Sequence, residues 1–203
     1  VYKRQVLNKI NLKINAKSSI AIVGKSGSGK TTLINLILGL IKPNEGDILI
    51  DDLSLTKIDL DSWRKNIGYI SQETNIFNDT IAANISLNFK KREQKGFELE
   101  KIKSAAKAAN IDKLIDSFPN GYDTIVGENG LKLSGGQRQR IFIARELFKE
   151  PNILIMDEAT SALDYNSEKF IKNSLDKLKG NITTIIIAHR FSTIKNVDKI
   201  FIL

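Results

Sequence analysis

The sequence predicts an α/β fold built on a mostly parallel β-sheet. Three observations carry this. Short β-branched runs alternate with longer helical stretches, the order that gives parallel strands joined by helices. Residues 24–31 read G-K-S-G-S-G-K-T and fit G-x-x-x-x-G-K-[ST] between a strand-like and a helix-like run. The segments 153–156 and 182–188 read as buried strands, and each ends on a polar residue, Asp157 and His189.

At 203 residues and 41% apolar content the chain suits one domain with room for an inserted subdomain. We read residues 1–203 as that single domain, with about 73–145 containing the helical part. The longest apolar run, residues 33–41, is interrupted by Asn35 and Gly39, so no membrane span and a soluble chain are expected. No signal peptide pattern stands at Val1, and the abrupt ends suggest a piece of something larger. The absence of Cys excludes disulfides and thiolate metal sites. The net charge of +8 is spread out. Its one dense run, Lys90-Lys91-Arg92 with Lys95, contains Glu93 and reads as a solvated face, with a favourable field for a polyanionic nucleotide as the second reading.

The elements follow in order. Val6, Ile10, Leu12 and Ile14 alternate with polar residues and suggest strands of an antiparallel N-terminal sheet. Residues 19–23 read as a buried strand ending at Gly24, and 30–40 as a helix. Residues 42–46, with Pro43 and Gly46, form a turn before a short strand at 47–50. Residues 67–70 are a strand leading to Ser71 and Gln72. From 80 to 118 Ala, Lys and Glu at helical spacing replace the β-branched runs, a helical insertion with a polar linker at 90–96. It ends at Pro119-Asn120-Gly121. Helices are expected at 136–149 and 164–179, the second with Asp164 as N-cap, and the last residues read as a strand. Trp63 and the Phe residues read as packing.

The chemistry begins at the glycine loop. Gly24, Gly27 and Gly29 let successive backbone N–H groups point at one phosphate chain, with the helix N-terminus behind it. Lys30 is suited to the β- and γ-phosphates, and the Thr31 hydroxyl to Mg²⁺. Asp157, delivered by a buried strand to its carboxyl end, suits the metal shell, and Glu158 beside it suits a general base. Ser134 and Gln137 have the spacing of a capping box. Gly135 and Gly136 between them open the helix N-terminus to an anion, a second phosphate site with no evident nucleotide of its own.

These stretches resemble the nucleotide-binding domain of ATP-binding cassette (ABC) transporters over nearly the whole chain. Residues 24–31 resemble the family's Walker A loop, making Gly24, Lys25, Ser26, Gly27, Ser28, Gly29, Lys30, Thr31 and Thr32 the cradle for ATP. Residues 153–157 resemble its Walker B strand, with Glu158 as catalytic glutamate. Leu133-Ser134-Gly135-Gly136-Gln137 is similar to its signature motif, and Ser161-Ala162-Leu163-Asp164 to its D-loop. Gln72 stands where the Q-loop glutamine belongs, as a catalytic and Mg²⁺-contacting residue, and His189 where the switch histidine reads the γ-phosphate. Tyr2 resembles the aromatic that stacks on adenine. The resemblance implies ATP and Mg²⁺ as cofactors. It also implies head-to-tail pairing with a second such domain, in a homo- or heterodimer, so that Ser134 and Gly136 meet the γ-phosphate held by the partner's loop. The missing transmembrane domain is the other implied partner, at the cytoplasmic face of a membrane.

Residues 124–130 resemble the X-loop of exporter-type domains, and 71–81 the exporter Q-loop region. In the family both face the membrane domain, which favours an exporter or flippase. Two departures stand out: Lys17-Ser18 replaces the usual Gly-Glu before the first strand, and Thr31-Thr32 replaces Ser-Thr, keeping the hydroxyl. A soluble ABC protein acting on nucleic acid or ribosomes is the alternative, supported only by the +8 charge, and no nucleic-acid partner is expected. A regulatory domain without hydrolysis is the third reading, opposed by Lys30, Asp157, Glu158, Ser134 and His189 all being present.

Overall fold

The structure is a computed structural model, and it describes residues 6–71, 73–89, 97–157, 165–188 and 194–203. Among these the strands are β1 (Ser19–Val23), β2 (Leu49–Ile50), β3 (Leu53–Ser54), β4 (Ile67–Ile70), β5 (Ile153–Asp157), β6 (Thr183–Ile187) and β7 (Lys199–Ile202). The helices are α1 (Lys30–Ile37), α2 (Leu60–Lys65), α3 (Ile81–Ser86), α4 (Phe97–Ala108), α5 (Asp112–Asp116), α6 (Gly135–Phe148) and α7 (Tyr165–Leu178).

Aliphatic strands without polar alternation need cover on both faces, and here they have it. The main sheet runs β4-β5-β6-β1-β7 with every neighbouring pair parallel. Successive residues point to opposite faces. Ala21, Ile70, Leu154, Met156 and Ile186 pack with α3 to α7, while Ile20, Ile22, Ile155, Ile185 and Ile187 pack with α1 and Trp63 of α2. Because all five strands are parallel, their carboxyl ends share one edge. The glycine loop, Ser71, Asp157 and Ala188 all lie there.

Helices α3 to α6 lie between β4 and β5, where the Ala, Lys and Glu pattern predicts helix. Helix α6 packs on α3, α4 and β4.

Several boundaries differ from the sequence reading. Residues 6–14 form no strand. Lys9 is left-handed (φ +49°), which breaks the extended run that alternation suggests. Leu7, Leu12 and Ile14 are instead half-buried against the α1 side of the sheet. The antiparallel pairing is β2 with β3, joined by Asp51-Asp52. Both residues are left-handed (φ +47° and +68°), as a two-residue hairpin turn requires. Helix α1 stops at Ile37, three residues early, and α2 takes over its last carbonyls. Trp63 Nε1 donates to Ile37 O (2.8 Å), and Arg64 donates to Leu38 O (3.1 Å) and Gly39 O (3.0 Å).

Candidate functional site

Strand β1 is fully sequestered until Val23, so the chain emerges at Gly24 from a fixed point. The loop then folds on itself, with Ser28 N–H donating to Lys25 O (3.1 Å). Gly29 has φ +101°, and a Cβ there would lie 2.6 Å from Leu7 Cδ2. Only glycine fits that position. The first turn of α1 carries no acidic residue, so the helix brings no carboxylate of its own against its N–H groups.

Lys30 is buried, and its ammonium donates to Gly24 O (2.9 Å) and Lys25 O (3.1 Å), spanning the loop from behind. Lys25, Ser26, Gly27 and Thr31 are exposed, and Thr32 is half-buried. The Ser28 hydroxyl is buried and has no hydrogen-bond partner among the described residues. Such a group costs about 1–3 kcal/mol when left alone, so the loop is complete only with an added acceptor. A phosphate oxygen fits that need.

Asp157 ends β5 half-buried, and its Oδ2 accepts a hydrogen bond from Tyr69 Oη (3.2 Å). The register places Tyr69 opposite Ile155, two residues short of the carboxylate, a gap the long phenol spans. Burial, and then the charge of Asp157, push the Tyr69 hydroxyl up to about 12, so it stays a donor throughout the neutral range. Among the described residues no three of His, Cys, Asp and Glu cluster as a closed metal cage. Mg²⁺ needs none, since it keeps waters and phosphate oxygens and takes one or two protein ligands. An exposed Thr31 hydroxyl and the Asp157 carboxylate fit that chemistry.

The turn at residues 134–137 is a true capping box. Ser134 Oγ accepts from Gln137 N–H (3.3 Å), and Ser134 N–H donates to Gln137 Oε1 (2.9 Å). Ser134 and Gly135 are exposed, but Gly136 is buried. A Cβ on Gly136 would lie 2.0 Å from Ser167 Oγ and 2.4 Å from Ser167 Cβ on α7. The first turns of α6 and α7 are therefore pressed together at this glycine. Gly136→Ala should lose about 1–3 kcal/mol by overpacking. Adding Ser167→Gly removes both clashing atoms and leaves Cα at 3.6 Å, so thermal melts should show the double variant above Gly136→Ala. A double variant no more stable than the single one would refute the packing role.

The two segments that resemble exporter-specific regions meet each other. Thr80 and Ile125 form an antiparallel bridge, with Ile81 N–H on Thr124 O (3.0 Å) and Val126 N–H on Asp79 O (3.2 Å). The buried Asn84 side chain holds both the N–H and the C=O of Phe77. Arg145 of α6 donates to Asn84 O (2.7 Å) and Asn75 O (2.9 Å). Phe77, Phe89 and Ile125 stay exposed, the two rings edge-to-face at 5.2 Å.

Tyr2, Gln72, Glu158, Asp164 and His189 lie outside the described residues, as do the rest of the D-loop and the 90–96 linker. The sequence reading missed Tyr69, Ser167, Asn84 and Arg145. The one available signal was a polar-tipped Tyr in an otherwise aliphatic strand three residues before Gln72.

The fold and the loop define a P-loop α/β nucleotide-binding domain. Comparison with known proteins takes this further: a family model described as "ABC transporter" matches residues 7–161, and the chain belongs to that family. The "ATP-dependent lipid A-core flippase" of Ralstonia nicotianae is 44% identical over 98% of this chain and 33% of its own length. The "Multidrug resistance protein pgp-1" of Caenorhabditis elegans is 48% identical over 96% of this chain and 14% of its own. Among solved structures, a bacterial Atm1-family ABC exporter with ATP bound is similar at TM-score 0.86 and 42% identity, covering 100% of this chain and 35% of that one. The chain thus spans about a third or less of the proteins it matches. No described helix is long and apolar enough to cross a membrane.

Proposed function

We propose that this chain is one nucleotide-binding domain of an ABC exporter or flippase, a single domain in which about 73–145 contain the helical part. It binds and hydrolyses ATP, and ATP-driven head-to-tail pairing with a second such domain powers transport. The observation that carries this is the loop itself. A buried Ser28 hydroxyl with no partner among the described residues, a buried Lys30 and the N-terminus of α1 converge where β1 ends, on the sheet edge that also bears Asp157.

The residues divide the work. Ser28, Lys30 and the loop N–H groups hold the phosphates and fix their orientation. Thr31 and Asp157 would hold Mg²⁺. The bound ion supplies charge neutralisation on the phosphoryl group being transferred. Glu158 accepts a proton from the attacking water, Gln72 would help hold the metal, and His189 would bind the γ-phosphate. The first turn of α6, exposed at Ser134 and Gly135, carries no acidic residue, which suits a nucleotide phosphate brought by a partner domain. The apolar patch of Phe77, Phe89 and Ile125 suits a membrane-domain partner at the cytoplasmic face.

Titration calorimetry with Mg-ATP tests the reading at its base. Lys30→Ala removes charge-assisted bonds worth about 1.5–3 kcal/mol, an expected loss of about 10–100-fold in affinity. Unchanged affinity would count against the phosphate cradle.

A further inference from the structure

Tyr69 is bonded to two distant parts of the chain at once. Strand β4 stands at the sheet edge, and the Tyr69 N–H donates to Glu146 Oε2 of α6 (3.1 Å) rather than to a strand. Glu146 is buried, and Lys149 holds its carboxylate at 2.8 Å. The Tyr69 hydroxyl reaches the other way, to Asp157 Oδ2 (3.2 Å). One residue therefore joins the helix that begins at the signature turn to the carboxylate that ends β5. Gln72 follows three positions later.

We propose that Tyr69 is a positioning residue of the metal site, holding the Asp157 carboxylate in orientation, and that Glu146 holds Tyr69. The inference rests on the reading of Asp157 as the Mg²⁺ ligand. The donor chemistry suits the task. A carboxylate that must bind a cation needs its rotation fixed without losing its charge. A Lys or Arg at this place would neutralise it, whereas a phenol donates one hydrogen bond and stays neutral. Groups that orient a metal ligand in this way typically change metal affinity 10–100-fold when removed.

The test uses Mn²⁺ as probe, with electron paramagnetic resonance reporting free ion in the presence of AMP-PNP. Nucleotide affinity is measured separately in EDTA. Tyr69→Phe keeps the ring and should leave nucleotide affinity in EDTA unchanged while weakening Mn²⁺ binding about 10-fold. Glu146→Ala should shift Mn²⁺ affinity in the same direction by less, and Glu146→Gln, which keeps an acceptor oxygen, should restore it. Normal nucleotide affinity with unchanged Mn²⁺ binding in Tyr69→Phe would overturn the role of Tyr69. An unaltered Glu146→Ala would overturn the link to α6. A wild-type chain that fails to bind AMP-PNP at all would overturn the nucleotide-site reading beneath both.

Discussion

Glu158→Gln should reduce ATP turnover by about 10²–10⁴-fold while ATP stays bound, the loss expected when a general base can no longer take a proton. The amide keeps the size and polarity of the carboxylate, so the phosphate contacts of Ser28, Lys30 and the loop survive. Binding and hydrolysis should therefore separate. If ATP closes a pair of domains and hydrolysis opens it, this variant should accumulate the closed pair. Sedimentation velocity should then show dimer with Mg-ATP and monomer without it. Wild-type turnover in Glu158→Gln would refute the role given to Glu158. A persistent monomer with ATP demonstrably bound would refute ATP-driven pairing of the chain.

Arg145→Leu should destabilise the molecule strongly. Arg145 is buried, and its guanidinium donates to Asn84 O, Asn75 O and Asn84 Oδ1 at 2.7, 2.9 and 3.1 Å. It also lies over the rings of Phe77 (5.3 Å) and Phe142 (5.0 Å). Burial lowers its proton affinity from the usual arginine range, and Glu146 partly offsets this. Leucine fills part of the volume but takes the guanidinium away from the Asn84 and Asn75 carbonyls, at about 1–3 kcal/mol each where no water replaces it, while Asn84 Oδ1 keeps the Phe77 N–H. A total loss of about 3–5 kcal/mol, or a melting point lower by about 10 °C, is expected. Hydrogen exchange should rise first at the amides of residues 75–85, since Arg145 and Asn84 together pin that stretch. A change under about 1 kcal/mol would mean that water replaces the guanidinium without loss.

The fold was legible wherever a rule is local. Apolar strands, the glycine loop and the Ser134 to Gln137 spacing each sit within a few consecutive residues, and each appears in the structure near its expected place. The element ends were less legible because neighbours decide them. Helix α1 stops where Trp63 and Arg64, some 26 positions on, donate to the carbonyls at its end. The stretch 6–14 had the alternation of a strand, but alternation specifies faces and says nothing of a ladder partner or of the left-handed Lys9. In the site, the loop and Asp157 carried motifs. Tyr69 did not, because its contact with Asp157 spans 88 positions and depends on the register of two neighbouring strands. Gly136 was legible as a glycine at a helix start, but its pressing neighbour, Ser167, was not.

The carboxylate on the Tyr69 amide also bears on how the molecule behaves in a crowded solution. The outer rim of a sheet is where a foreign extended chain can dock by backbone pairing and start an aggregate. At the β4 rim, Glu146 already occupies one donor and α6 packs alongside. An incoming chain would have to displace a buried acidic group before it could pair there. The bond therefore also protects this rim against unwanted polymerisation.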